Sequence, residues 1–111
     1  MISPVQQAQT IIGEMVRRIV DRFAPEKIIL FGSYARGDAG TDSDADLLVV
    51  MNCPGSTWEQ MVEIRRALSD MDLAKDVIVV TPEYFEKYRD VVGTVVWPAV
   101  HEGKLLYEQR S

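Results

Sequence analysis

Two short apolar segments separated by a small polar one constrain the fold of this chain more than any other feature. The first spans Lys27 to Phe31 and the second spans Asp44 to Val50, and both contain adjacent β-branched residues. Segments of this length and composition predict buried strands. Gly32 ends the first segment, and the polar loop 38–43 leads into the second. We therefore expect two strands joined by a compact turn.

Helical and strand patterns alternate through the rest of the sequence. Apolar residues recur at spacings of three and four before Pro25, and Glu59 stands three residues after Ser56, the spacing of a capping box. The order predicts an α+β fold in which a small mixed β-sheet carries helices packed mainly on one side. The predicted elements are a helix near 5–23, a strand over 27–31, a short helix or turn over 33–37, a strand over 44–50, a helix capped by Ser56 or Thr57, a strand over 76–80, a short helix capped by Thr81, a helix over 93–102 and a strand over 104–108.

The length and charge of the chain narrow its class. At 111 residues it is long enough for one core, so we expect a single domain over residues 1–111. The net charge of −5 argues against direct nucleic-acid binding, which needs clustered Lys and Arg, and we interpret the arginine pairs at 17–18 and 65–66 as solvated helix faces. The sequence has no secretory signal or bilayer-spanning run, and Cys53 is its single cysteine, so we expect a cytoplasmic protein.

The second strand opens with two carboxylates. Asp44 and Asp46 are two residues apart, so on a strand they point to the same face, with Cβ atoms roughly 6–7 Å apart. This spacing suits two carboxylates that converge on a divalent cation, and Mg²⁺ prefers such oxygen ligands. Two such ions can clamp the attacking and leaving oxygens of a phosphoryl displacement. Asp76, at the start of the third strand, is the best-placed third carboxylate.

The turn after the first strand has the residue types of a phosphate site. Gly32 permits close approach of the backbone, and Ser33 offers a hydroxyl and a backbone N–H at a helix start. Arg36 is placed to neutralise a triphosphate, or else to form an ion pair with Asp38 or Asp42. Thr41 and Ser43 we interpret as residues that order the loop.

Two familiar motifs are only partly matched and are rejected. Gly32 and Gly37 have the spacing of a Walker A loop, but Asp38 stands where that loop requires Lys. The segment 42–46 imitates the start of an EF-hand loop, but Leu47 occupies its obligatory glycine position. Taken alone, an Asp-x-Asp pair is more often a solvated loop than a metal site. The combination of strand, Gly-Ser turn, paired carboxylates and second strand favours the metal site.

At these residues the chain resembles the polymerase-beta-type nucleotidyltransferase superfamily, whose signature is Gly-Ser, a short spacer and Asp-x-Asp on the next strand. The pattern of Gly32, Ser33, Arg36 and Gly37 followed by the segment 43–47 looks like the minimal nucleotidyltransferase (MNT) branch. The specific match covers residues 31–50. Asp76 matches the third family carboxylate by its place on the following strand.

The resemblance implies transfer of AMP from ATP to a hydroxyl, with two Mg²⁺ ions as cofactors. It implies that Asp44 and Asp46 bind both ions and that Asp76 binds the catalytic ion and helps to deprotonate the acceptor. Gly32 and Ser33 would hold the triphosphate. Many minimal members are antitoxins that act on a HEPN-domain toxin, so the resemblance implies such a partner. Two alternatives stay open: transfer to an antibiotic or other small hydroxyl compound, and a binding-only antitoxin scaffold.

Overall fold

The computed structural model describes residues 2–40 and 42–110. It contains five helices and four strands within these ranges. The elements are α1 Pro4–Phe23, β1 Lys27–Phe31, α2 Ser33–Arg36, β2 Ala45–Val50, α3 Thr57–Ala67, β3 Lys75–Val80, α4 Pro82–Tyr88, α5 Val96–Glu102 and β4 Lys104–Glu108. Every predicted element is present, with boundaries that differ by a few residues.

The four strands form one mixed sheet in the order β3-β2-β1-β4. β1 is antiparallel to both β2 and β4, whereas β2 and β3 run parallel. The parallel pair is possible because α3 carries the chain back to the starting end of the sheet between them. This arrangement confirms the predicted α+β class and the mixed sheet.

Helices cover the two faces of the sheet unequally. The longer helices α1 and α3 pack on one face, while the shorter α4 and α5 cover part of the other, so the helical mass lies mainly on one side as predicted. Alternating residues of β1 and β2 supply the two faces, as the pleat requires. The α1 and α3 face includes Ile28, Leu30, Leu47 and Val49, and the other includes Ile29, Leu48 and Val50.

Side-chain caps set where three of the helices begin, at Ser3, Ser56 and Thr81. The Ser56 hydroxyl accepts hydrogen bonds from the N–H groups of Trp58 at 3.1 Å and Glu59 at 3.4 Å. Within the described ranges the Glu59 side chain makes no return bond, so only half of the predicted capping box forms there. A complete box lies at α1 instead, where Ser3 and Gln6 exchange bonds of 2.9 and 3.1 Å.

Two predicted boundaries were wrong for local reasons. β2 begins at Ala45, so Asp44 belongs to the preceding loop rather than to the strand. α5 begins at Val96 rather than near Gly93, because Gly93 has a φ of +95° that a right-handed helix does not accept.

In the part of the chain that is described, no helix has both the length and the apolar character needed to cross a bilayer.

Candidate active site

The candidate site lies at the starts of the adjacent parallel strands β2 and β3. Asp46 and Asp76 are paired in the register of these parallel strands. Adjacent strands lie about 4.8 Å apart, so the two backbones hold the carboxylates as neighbours. Both residues share the strand parity of Leu48 and Ile78, which face the α4 and α5 side. The structure thus places Asp76 next to Asp46, although Asp76 is remote from it in sequence.

Gly32 brings the Gly-Ser turn against the same carboxylate. Phe31, at the end of β1, is the register partner of Asp46. A Cβ built on Gly32 would overlap Oδ2 of Asp46 and approach its Cγ to 3.2 Å. Gly32 also has φ +76° and ψ −155°, a conformation that is almost restricted to glycine. The turn and the carboxylate therefore fit together only because residue 32 has no side chain.

The electrostatics of Asp46 confirm that acidic groups gather around it. Partial burial raises the pKa of the Asp46 carboxyl above its ordinary value, and the negative charges of Asp76 and Asp44 raise it further. The Arg36 guanidinium lowers the same pKa by a smaller amount. Asp44 lies in the exposed loop rather than on the strand, yet it remains near enough to repel the Asp46 charge. The site is thus a concentration of negative charge.

Ser33 and Arg36 lie on α2, which is a single helical turn. Its four residues are too few for a substantial helix dipole, so the dipole adds little to anion binding at the Ser33 N–H. Arg36 forms the ion pair with Asp38 that was one of its predicted alternatives, with Nε and Oδ2 3.3 Å apart. Both side chains are exposed, and such a pair is weak enough to yield to a phosphate.

The loop between α2 and β2 is ordered in part by Ser43. Its hydroxyl accepts a hydrogen bond from the Gly40 N–H at 2.9 Å, and its own N–H donates to the Gly40 carbonyl at 3.2 Å. The role predicted for Ser43 is therefore confirmed. Thr41, for which the same role was predicted, lies outside the described residues.

Sequence reasoning missed Arg65. The pair 65–66 was interpreted as a solvated helix face, but the Arg65 guanidinium forms an ion pair with Oδ1 of Asp76. The same Nη2 atom donates to the Val77 carbonyl at 3.4 Å. Arg66 instead pairs with Glu63 on its own helix. The signal was weak: consecutive helical residues point about 100° apart, so two adjacent arginines need not share one environment.

The carboxylate oxygens of the site are suitable ligands for a hard divalent cation such as Mg²⁺, but they do not form a complete coordination shell by themselves. Within residues 2–40 and 42–110, no three His, Cys, Asp or Glu side chains are arranged to hold a metal ion by themselves. Asp44, Asp46 and Asp76 offer only carboxylate oxygens, and Mg²⁺ normally takes one or two carboxylates, with waters and substrate phosphates as its other ligands. A cavity of about 430 Å³ between α1 and β4 contains none of these residues.

Comparison with known families agrees with this geometry. The family model described as the nucleotidyltransferase domain matches residues 12–98, which include the Gly-Ser turn and all three carboxylates. The chain belongs to this family. The predicted nucleotidyltransferase assignment is therefore confirmed at the level of the family.

Two curated relatives of this nucleotidyltransferase domain carry more specific names. Protein adenylyltransferase MntA of Thermococcus cleftensis is 38% identical over 45 residues, which are 40% of this chain and 46% of that protein. MJ0604 of Methanocaldococcus jannaschii, provisionally named a protein adenylyltransferase, is 32% identical over 87 residues, 74% of this chain and 78% of that protein. The chain thus matches under half of the first relative and most of the second.

Solved structures share the fold. A protein of Sulfolobus solfataricus, provisionally named a nucleotidyltransferase, has a TM-score of 0.67 at 21% identity and covers 98% of this chain and 91% of its own. A toxin–antitoxin structure with AMP-PNP has a TM-score of 0.56 at 22% identity, covering 88% and 74%. The structure of a tri-AMPylated Shewanella oneidensis HEPN toxin with its MNT antitoxin has a TM-score of 0.50 at 21% identity, covering 91% and 72%. At these identities the likeness concerns the nucleotidyltransferase fold alone.

Proposed function

We propose that this protein is a metal-dependent adenylyltransferase that moves AMP from ATP to a hydroxyl group on a partner protein, a HEPN-domain toxin. One observation carries the proposal above all. The Asp46 carboxylate lies against the side-chain-free Gly32 of the Gly-Ser turn and beside Asp76 in strand register. A phosphate-binding turn and a pair of carboxylates thereby share one small surface, which is the arrangement that nucleotidyl transfer needs.

The residues of the chain divide the work by their chemistry. Gly32 lets the turn lie against Asp46, so that the turn and the carboxylate face the triphosphate together, and the Ser33 hydroxyl donates to a phosphate oxygen. Arg36 leaves its weak pair with Asp38 to offset phosphate charge. Asp76 accepts the proton of the acceptor hydroxyl as the acceptor oxygen bonds to the α-phosphorus and the bond to pyrophosphate breaks. The products are the AMP ester, pyrophosphate and one proton.

Asp44, Asp46 and Asp76 would hold the divalent cations. Mg²⁺ bound there supplies positive charge that offsets both the carboxylates and the triphosphate. Burial and the charges of Asp76 and Asp44 raise the pKa of the Asp46 carboxyl, so a bound cation would offset a negative charge that its surroundings disfavour. The family resemblance favours two ions.

The names of the relatives support the acceptor class. Protein adenylyltransferases transfer AMP to protein, and the toxin in the Shewanella complex carries AMP groups. A hydroxyl on a HEPN-domain toxin, most simply a tyrosine, is therefore the acceptor that we propose for this chain. Transfer to a small hydroxyl compound would be the alternative reaction of the same site.

We expect ATP binding to require Mg²⁺ or Mn²⁺. Without a cation, the negative charges of the three acidic side chains repel the triphosphate. Calorimetric titration of the chain with ATP in Mg²⁺ and in EDTA measures this. Binding of ATP with equal affinity under both conditions would show that the carboxylates do not face the nucleotide.

We expect the chain to label its partner. Incubation with the candidate partner (the product of the neighbouring gene), Mg²⁺ and ATP labelled at the α-phosphate should attach AMP to that protein and release pyrophosphate. At saturating Mg²⁺, Asp76→Asn should bind ATP almost as well but transfer AMP poorly, because it removes the group that readies the acceptor and leaves Asp44 and Asp46 to hold a cation on the triphosphate. Inhibition of the partner without any gain in its mass, unchanged in Asp76→Asn, would establish the binding-only scaffold instead.

A further inference from the structure

The ion pair of Arg65 differs from the other ion pairs on helix α3. The guanidinium reaches from α3 to the start of the neighbouring strand β3. There it contacts Oδ1 of Asp76 and, at 3.4 Å, the Val77 carbonyl. Arg66, the next residue, pairs with Glu63 of its own helix at 3.1 Å. The two arginines carry the same charge and lie on the same helix, but of the two only Arg65 contacts a residue of the candidate active site.

The second contact makes the Arg65 pair directional. A guanidinium that is held by both a main-chain carbonyl and a carboxylate oxygen has a restricted position, because its planar donors must satisfy both acceptors. β3 is an edge strand of the sheet, so Arg65 reaches Asp76 around the outer edge and holds one of its oxygens there, although Asp76 has the strand parity of the α4 and α5 face. The contact is made by Oδ1, so it leaves Oδ2 for another ligand. Asp46, the register neighbour of Asp76, lies on the other side, toward β2.

We propose that Arg65 is a positioning residue that fixes the Asp76 carboxylate for divalent-cation binding beside Asp46. The inference rests on the proposed function, since it concerns the same metal-binding carboxylates. Side chains that hydrogen-bond a ligating carboxylate orient it, and their removal typically lowers metal affinity or activity about 10–100-fold. Arg65 remains on Oδ1 when the cation takes the other oxygen, so the two do not compete.

The ordinary interpretation of Arg65 is a surface ion pair of little consequence. Its side chain is 45% exposed and that of Asp76 is 46% exposed, and pairs of this kind add little to stability. A weak effect on folding and a strong effect on metal affinity would be the signature of a positioning role. The two interpretations therefore make opposite predictions for a variant at this residue.

Mn²⁺ binding separates them. The full chain is titrated with Mn²⁺ in the presence of the ATP analogue AMP-PNP, and free Mn²⁺ is measured by electron paramagnetic resonance. We expect Arg65→Gln to raise the Kd for Mn²⁺ about tenfold while the melting temperature in EDTA changes by only a few degrees. Arg66→Gln, with the same loss of charge on the same helix, should stay within twofold of the unaltered chain. Arg65→Lys should recover part of the affinity.

A second background tests whether Arg65 acts through Asp76. In Asp76→Asn, adding Arg65→Gln should cause no further loss of Mn²⁺ affinity, because the carboxylate that Arg65 positions is already gone. Three outcomes would overturn the inference alone: normal Mn²⁺ affinity in Arg65→Gln, tighter binding in that variant, or an equal loss in the Asp76→Asn background. Absence of Mn²⁺ binding by the unaltered chain would overturn the proposed function together with it.

Discussion

Replacement of Asp46 by Asn should lower the rate of AMP transfer at least about a thousandfold, and replacement of Asp44 by Asn should do the same. Each change removes a carboxylate from the predicted metal site but keeps the size of the side chain and most of its hydrogen-bonding capacity. The effect is large because charge on the reacting phosphates is then poorly offset. Rates are measured as transfer of labelled AMP to the proposed HEPN-domain partner at saturating Mg²⁺.

The fold should not suffer in Asp46→Asn. Burial and the charges of Asp76 and Asp44 raise the Asp46 pKa, which means that the ionised form is disfavoured in the folded protein. A neutral side chain relieves that repulsion at pH 7, so the metal-free variant should melt at or above the temperature of the unaltered chain. Asp21→Asn, an exposed change on α1 with the same loss of charge, should transfer AMP normally. Transfer by Asp46→Asn at near the normal rate, with an unchanged circular dichroism spectrum, would refute the metal assignment.

Replacement of Gly32 by Ala should have the second largest effect. The new Cβ would overlap Oδ2 of Asp46, and the backbone at φ +76° and ψ −155° would be strained by about 1–3 kcal/mol. The carboxylate must then move or the turn must open. Either shift displaces reacting groups by about an ångström, and this can cost on the order of a hundredfold in rate. AMP transfer and thermal unfolding together measure the two consequences.

Substitution of two other glycines in the same region distinguishes the effect of backbone strain from that of a steric clash with Asp46. Gly37 has a φ of +85° but open space around it, so Gly37→Ala should lose stability through backbone strain without moving Asp46. Gly40 has open space and is not in the left-handed region, so Gly40→Ala should be tolerated. If Gly32→Ala loses no more transfer activity than Gly37→Ala, then the contact with Asp46 is not what the site requires.

The local structure of the site could be predicted from the sequence because it depends on neighbours in the chain. Apolar runs of strand length, a glycine stop and a polar loop identify the segments before and after the Gly-Ser turn. Caps at Ser56 and Thr81 and the proline at position 82 mark helix starts in the same local way. The family signature lies within the single stretch 31–50. Strand boundaries were less secure, and Asp44 proved to lie just outside β2.

Arg65 shows the limit of such reasoning. Adjacent arginines in an amphipathic helix look alike in sequence, and which of them meets a carboxylate depends on how the helix is rotated against β3. That rotation is set by the packing of Ile64 and Leu68 in the core, which turns Arg65 toward the strand and leaves Arg66 on its own helix. No local pattern records it.

The sequence by itself determined the elements, the phosphate-type turn and the three candidate carboxylates, since each of these follows from residue type and short-range spacing. Only the tertiary structure decided how they meet. The parallel pairing of β2 with β3 puts Asp76 beside Asp46, and the antiparallel pairing of β1 with β2 puts Gly32 against the same carboxylate. Strand order and register are set by the burial of apolar side chains on both faces of the sheet. The free energy of that burial comes from residues that are far apart in the chain. Because the site takes residues from three strands, their relative positions are fixed only when the whole sheet has formed.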